Sequence, residues 1–132
     1  MKPRGIRLNN PLNIRHNKNN HWLGLSAVQP DKEFDCFDQM VYGIRAAMII
    51  IRGYIRRGYD TVDRIIGRWA PPSENPTAVY VKYVSEKANI LKNDQIHFYD
   101  KDKIVAIIEA MIKFENGKAI DRSYIEDAYD LV

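Results

Sequence analysis

The sequence predicts a mainly helical domain carrying a small β-hairpin, an α+β fold. Three observations lead there. Apolar residues recur at three- and four-residue spacing in two long segments, 39–57 and 102–116, as one buried helix face requires. Between residues 21 and 38 the pattern switches to alternation, the period of a strand. The chain of 132 residues, 45% hydrophobic and 28% charged, has the length and composition of one globular domain, 1–132.

Residues 1–20 are rich in asparagine, which bonds to nearby backbone and tolerates left-handed conformations, so they read as an ordered loop anchored by Leu12 and Ile14. In the hairpin, Trp22-Leu23-Gly24-Leu25 and Glu33-Phe34-Asp35-Cys36-Phe37 flank a turn at Pro30-Asp31. A helix over 39–57 buries Ile44, Met48, Ile51 and Ile55 and stops at Gly58. Asp60 or Thr61 caps a short helix carrying Val62, Ile65, Ile66 and Trp69, which Pro71-Pro72 ends. Asn75 caps the next helix, with Pro76 at its first position and Tyr80, Tyr83 and Val84 along one side. Residues 90–100 are polar and irregular. The helix over 102–116 has Ile104, Ile107, Ile108, Met111 and Ile112 as its stripe, and Asn116-Gly117 ends it. Ser123 and Glu126 form a capping box for a terminal helix through Leu131.

Several function classes drop out early. The lone Cys36 allows no internal disulfide, and His16, His21 and His97 make no metal-ligand spacing with it, so neither metal nor cofactor is expected. There is no Gly-rich phosphate loop and no serine in a nucleophile elbow. The longest apolar run, Ala46 to Ile51, is too short to span a bilayer, and the charged start carries no secretory signal. The expectation is synthesis in the cytoplasm. The formal charge of +3 and pI near 9.0 leave polyanions open. Arg52, Arg56, Arg57, Arg64 and Arg68, with Tyr54 and Tyr59, outline a basic surface, but Arg56 and Arg57 fall on an ordinary solvated helix face. Nucleic acid is therefore not the expected partner.

Glu115 breaks its own pattern. At 100° per residue it lies only about 20° around the helix from Ile104, on the apolar stripe and in the last turn. Burial and the helix dipole both disfavour its ionised form, which is the condition of a general acid for glycoside cleavage. The alternative is a carboxylate that turns outward or pairs with Arg68 or Lys87. Glu109 points about 140° off the stripe and is expected in solvent.

Four segments resemble signature pieces of the lytic transglycosylase and goose-type lysozyme superfamily. Phe114-Glu115-Asn116-Gly117 is similar to the helix end bearing the catalytic Glu. Asn10-Pro11-Leu12-Asn13-Ile14-Arg15 is similar to the cleft loop, most of all that of flagellar-type glucosaminidases, whose Trp-x-Gly is matched by Trp22-Leu23-Gly24. Arg68-Trp69-Ala70-Pro71 is a counterpart of the Ala-Tyr-Asn-Ala-Gly piece, and Asn75-Pro76-Thr77-Ala78-Val79-Tyr80-Val81 of the helix opening Glu-Thr-x-x-Tyr-Val. The family's Glu helix comes first, whereas here it comes last, so the resemblance implies a circularly permuted lysozyme-like domain. The first two-thirds of the chain also resembles small bacteriophage structural (virion) proteins.

The resemblance implies a muramidase or lytic transglycosylase acting on peptidoglycan glycan strands, with Glu115 as general acid and Tyr80 beside it. It equally allows a virion structural or assembly protein of the same fold without catalysis, whose partners are other virion proteins. Either version belongs in a virion or an infected bacterial cell, reaching the wall by a route other than a signal peptide. Asn10 and Asn13 are candidates to bind N-acetyl groups, and Trp22, Tyr80 and Tyr83 to stack on sugar rings. Asp35 is the candidate second carboxylate, although plain strand alternation would also put it on a polar outer face.

Overall fold

The computed structural model describes residues 2–73 and 75–132 and contains, among them, six helices and no strand. They are α1 (Arg4–Arg7), α2 (Met40–Arg56), α3 (Val62–Trp69), α4 (Thr77–Ala88), α5 (Lys101–Asn116) and α6 (Arg122–Asp130). The mainly helical part of the expectation holds. None of the helices is long and apolar enough to cross a membrane.

α5 lies at the centre, with α4 and α6 packed against it, while α2 packs on α6. The reason is the breadth of its apolar surface: Ile104, Val105, Ile107, Ile108, Ala110, Met111 and Ile112 are all buried. Ile44, Met48 and Ile51 of α2 and Ile65 and Ile66 of α3 complete the same core. α2 ends as its glycine requires. Gly58 takes φ +91°, and the Tyr59 and Gly58 N–H groups bond back to the Tyr54 and Ile55 carbonyls at 2.9 and 3.0 Å. Thr61 caps α3 by accepting from the Arg64 N–H. Gly117 closes α5 at φ +72°.

The expected β-hairpin is absent, which corrects the fold class from α+β to all-helical with irregular loops. Residues 33–37 form only isolated bridges, Arg15 with Phe34 and Leu25 with Phe37. Burial does not follow the alternation, since Phe34, Asp35 and Phe37 are all buried and Cys36 only partly so, and the backbone partners come from three different places. Asp35 N–H bonds to the Ile14 carbonyl, Phe37 N–H to that of Leu8, and the Cys36 carbonyl accepts from Ser26. The Gln29 amide fills the remaining gap, accepting from Cys36 N–H and donating to the Ser26 and Cys36 carbonyls. No continuous ladder can form when each residue pairs with a different segment.

Two helix starts also differ from expectation. Asp121, not Ser123, caps α6, accepting from the Ser123 N–H at 2.9 Å. Glu126 instead pairs with Arg122, at 3.5 Å. Pro76 stands at the cap position of α4, and Asn75 makes no capping bond; its amide reaches back to the Pro71 carbonyl. Residues 4–7 form the unexpected first helical turn.

The asparagine-rich loop is pressed flush onto α2. A Cβ on Gly43 would lie 1.9 Å from the Asn9 carbonyl oxygen, so only glycine permits this approach. Gly43→Ala is expected to cost about 2 kcal/mol or more, because one backbone must move away from the other. A drop in the urea midpoint measures it; an unchanged midpoint would contradict the close contact.

Candidate functional site

The left-handed conformations of Asn9 and Asn13 fold the loop back beneath the C-terminal end of α5. Asn10 locks it from inside. Fully buried, its side chain donates to the Ile14 and Asp35 carbonyls and accepts from the Ile14 N–H. From the other side, Asn116 donates to the Pro11 carbonyl at 2.7 Å. This bracing brings Asn13 to Glu115.

Glu115 sits half-buried in the last turn of α5 and receives three hydrogen bonds, each from a neutral donor. Asn13 Nδ2 donates to Oε1 at 3.0 Å. Trp69 Nε1 and the Tyr80 hydroxyl donate to Oε2 at 3.1 and 2.6 Å. Tyr80 is itself held by stacking on Phe114, with ring centroids 4.1 Å apart. Neither Arg68 nor Lys87 pairs with Glu115, and no described residue forms a salt bridge to it. Burial raises the Glu115 pKa above the ordinary carboxylate value, and the bonds from Tyr80, Asn13 and Trp69 oppose that rise without cancelling it. Oε1, with one donor, keeps a free position for the proton. Burial, and then the adjacent carboxylate, raise the Tyr80 phenol, which stays a donor throughout the biological pH range.

The carboxyl opens into a groove of about 620 Å³. Asn13, Arg15, His16, Asn17 and Asn20 form one wall, and Ile50, Tyr54, Trp69, Asn75 and Tyr80 line the rest with Phe114. Among the described residues lining it, Glu115 is the one carboxylate. The remaining candidates lie elsewhere. Asn10 is buried under the loop, and Tyr83 is tilted against Phe114 outside the groove lining. Trp22 packs on the core with its Nε1 unpartnered among the described residues. Asp35 is buried against His16 rather than facing the groove. Glu109 is partly exposed and pairs with Arg122 at 3.0 Å. No group of His, Cys, Asp or Glu among the described residues could hold a metal ion.

The sequence marked Trp69 only as part of the Arg68-Trp69-Ala70-Pro71 piece, Tyr54 only within the basic surface, and His16 not at all as a site residue. Trp69 falls on an apolar stripe and reads as core, and only the Trp-Ala-Pro end of its helix sets it apart. His16 belongs to no motif, yet both its ring nitrogens face acceptors. Nδ1 is 2.6 Å from Asp35 Oδ1 and Nε2 is 2.7 Å from the Asp31 carbonyl. Satisfying both requires the imidazolium. The Asp31 carbonyl does most to raise the His16 pKa, partial burial opposes it, and the Asp35 carboxylate adds to the rise. A raised histidine pKa stabilises the fold fully below the ordinary value of 6.5 and loses that contribution as pH climbs through the folded value. His16 is therefore expected to titrate above 6.5 by NMR, and Asp35→Asn to lower it. A ring titrating at or below the ordinary value would contradict the double pairing.

No protein-family model matches the chain. Over 117 residues, 86% of this chain and 71% of the relative, it is 38% identical to Protein P5 of Pseudoalteromonas phage PM2. Identity of that degree across most of both sequences marks common descent, and the chain belongs to the family of this bacteriophage protein.

Proposed function

We propose that the chain is a peptidoglycan-cleaving glycosidase of phage or phage-derived origin, a single lysozyme-like domain permuted so that the helix bearing its acid comes late. One observation carries the reading: the Glu115 carboxyl, disposed to keep its proton, is fixed by Asn13, Trp69 and Tyr80 at the floor of an open polar groove. A carboxylic acid of that kind can protonate a glycosidic oxygen as the C–O bond breaks and charge develops on the sugar ring. Asn13 and Trp69 then stabilise the carboxylate that remains. The cation is taken either by water, giving hydrolysis, or by the hydroxyl of the same sugar, giving an anhydro product lighter by one water, and in both cases the attacking oxygen's proton returns to Glu115.

The test is loss of turbidity from purified wall material with the full chain, followed by mass analysis of the released fragments. Clearing with saccharide products supports the reading. A second reading, a non-catalytic virion component of the same fold, is favoured by the phage relative. Its signature is wall binding, or association with other virion proteins, without clearing.

A further inference from the structure

The groove does not stop at Glu115. Trp69, which donates to the carboxylate, and Tyr54 line it together. On Tyr54 rest two guanidinium groups, Arg57 at 5.6 Å and Arg68 at 5.9 Å from the ring centre. Arg68 also lies over Tyr59, at 4.6 Å. Arg64 is tied to the same turn, donating to the Gly58 carbonyl at 3.2 Å.

All three arginines are exposed, and among the described residues none has a carboxylate partner. Arg4, Arg15 and Arg122 do have one, whereas these three leave their charge unneutralised beside the groove. A guanidinium that stacks through its face keeps its N–H edge free, in a fork matched to a carboxylate. Attraction to the rings also favours this placement in advance, reducing the ordering that a ligand must impose. A cationic shelf thus adjoins, through Tyr54, a groove lined largely by amides and aromatic rings.

We propose that Arg57 and Arg68, with Arg64 behind them, bind the carboxylates of the peptides carried by a peptidoglycan strand whose sugars lie along the groove. The inference rests on the glycan reading above and adds to it a preference for peptide-bearing strands.

Glu115→Gln in the full chain binds without cutting and is the form to use. Its affinity is measured by calorimetry for a soluble glycan tetrasaccharide bearing its peptides and for the same fragment after amidase removes them. About tenfold tighter binding of the peptide-bearing fragment at low salt is expected. Adding Arg57→Gln and Arg68→Gln abolishes that preference while leaving affinity for the stripped fragment unchanged. Equal affinity for the two fragments overturns the shelf and leaves the glycan reading intact, as does a preference that survives both arginine substitutions. Absence of binding to either fragment overturns both. Tighter binding of a single-stranded oligonucleotide than of the peptide-bearing fragment overturns the ligand assignment.

Discussion

Glu115→Gln is expected to lower wall clearing by about 10²–10⁴-fold, the range for loss of a general acid, while making the folded protein more resistant to heat at neutral pH. The second half follows from the sign of the pKa shift. Burial raises the folded-state pKa of Glu115 above 4.5, so the native state holds this proton more tightly than the unfolded chain. Its contribution is complete below 4.5 and declines as pH rises through the folded value. Above 4.5 the native state bears the cost of holding either a buried charge or a proton that the unfolded chain has released, and glutamine bears neither. Glutamine also fits the three donors, because rotation of the Asn13 amide presents its oxygen to the new N–H. The variant should melt above the parent at pH 7, and the gap should close toward pH 3. Clearing at the parental rate would remove Glu115 from the chemistry. A lower melting temperature at pH 7 would mean that its hydrogen bonds outweigh burial.

What could be seen in the sequence was whatever depends on local repetition. The stripes of α2 and α5 recur every three to four residues, and burying them sets the core. An acid in line with Ile104 and Ile108 stands out for the same reason. What holds that acid could not be seen, because its three donors lie 102, 46 and 35 residues away along the chain. The hairpin failed on a similar point. Alternation put Asp35 on an outer face, whereas it lies buried with Phe34 and Phe37, and alternation could not tell that Ile14, Leu8 and Ser26 would divide the backbone bonds of this segment among them. Ser123 and Asp121 are both competent caps, and the choice between them was made by where the chain enters α6.

Asn10 shows how the same ambiguity separates scaffold from site. As a loop amide it suited sugar binding, yet its side chain is fully buried and makes three bonds to the backbone of Ile14 and Asp35. Asn10→Ala leaves the Asp35 carbonyl and the Ile14 N–H without partners in the interior, and the Ile14 carbonyl with the Asp35 N–H alone. Each such group costs about 1–3 kcal/mol before relaxation, so a total loss of about 2–5 kcal/mol is expected. The damage should reach function through geometry, since Asn13 and His16 flank the segment that Asn10 holds. With Asn13 freed, Glu115 loses a donor that lowers its pKa, and its carboxyl should hold the proton to still higher pH. Urea unfolding reads the stability loss, and hydrogen exchange at the Ile14 amide locates it. A residue that merely touched substrate would leave both unchanged and weaken ligand binding alone, so an unaltered urea midpoint in Asn10→Ala would return Asn10 to the groove and overturn its role as the loop's internal brace.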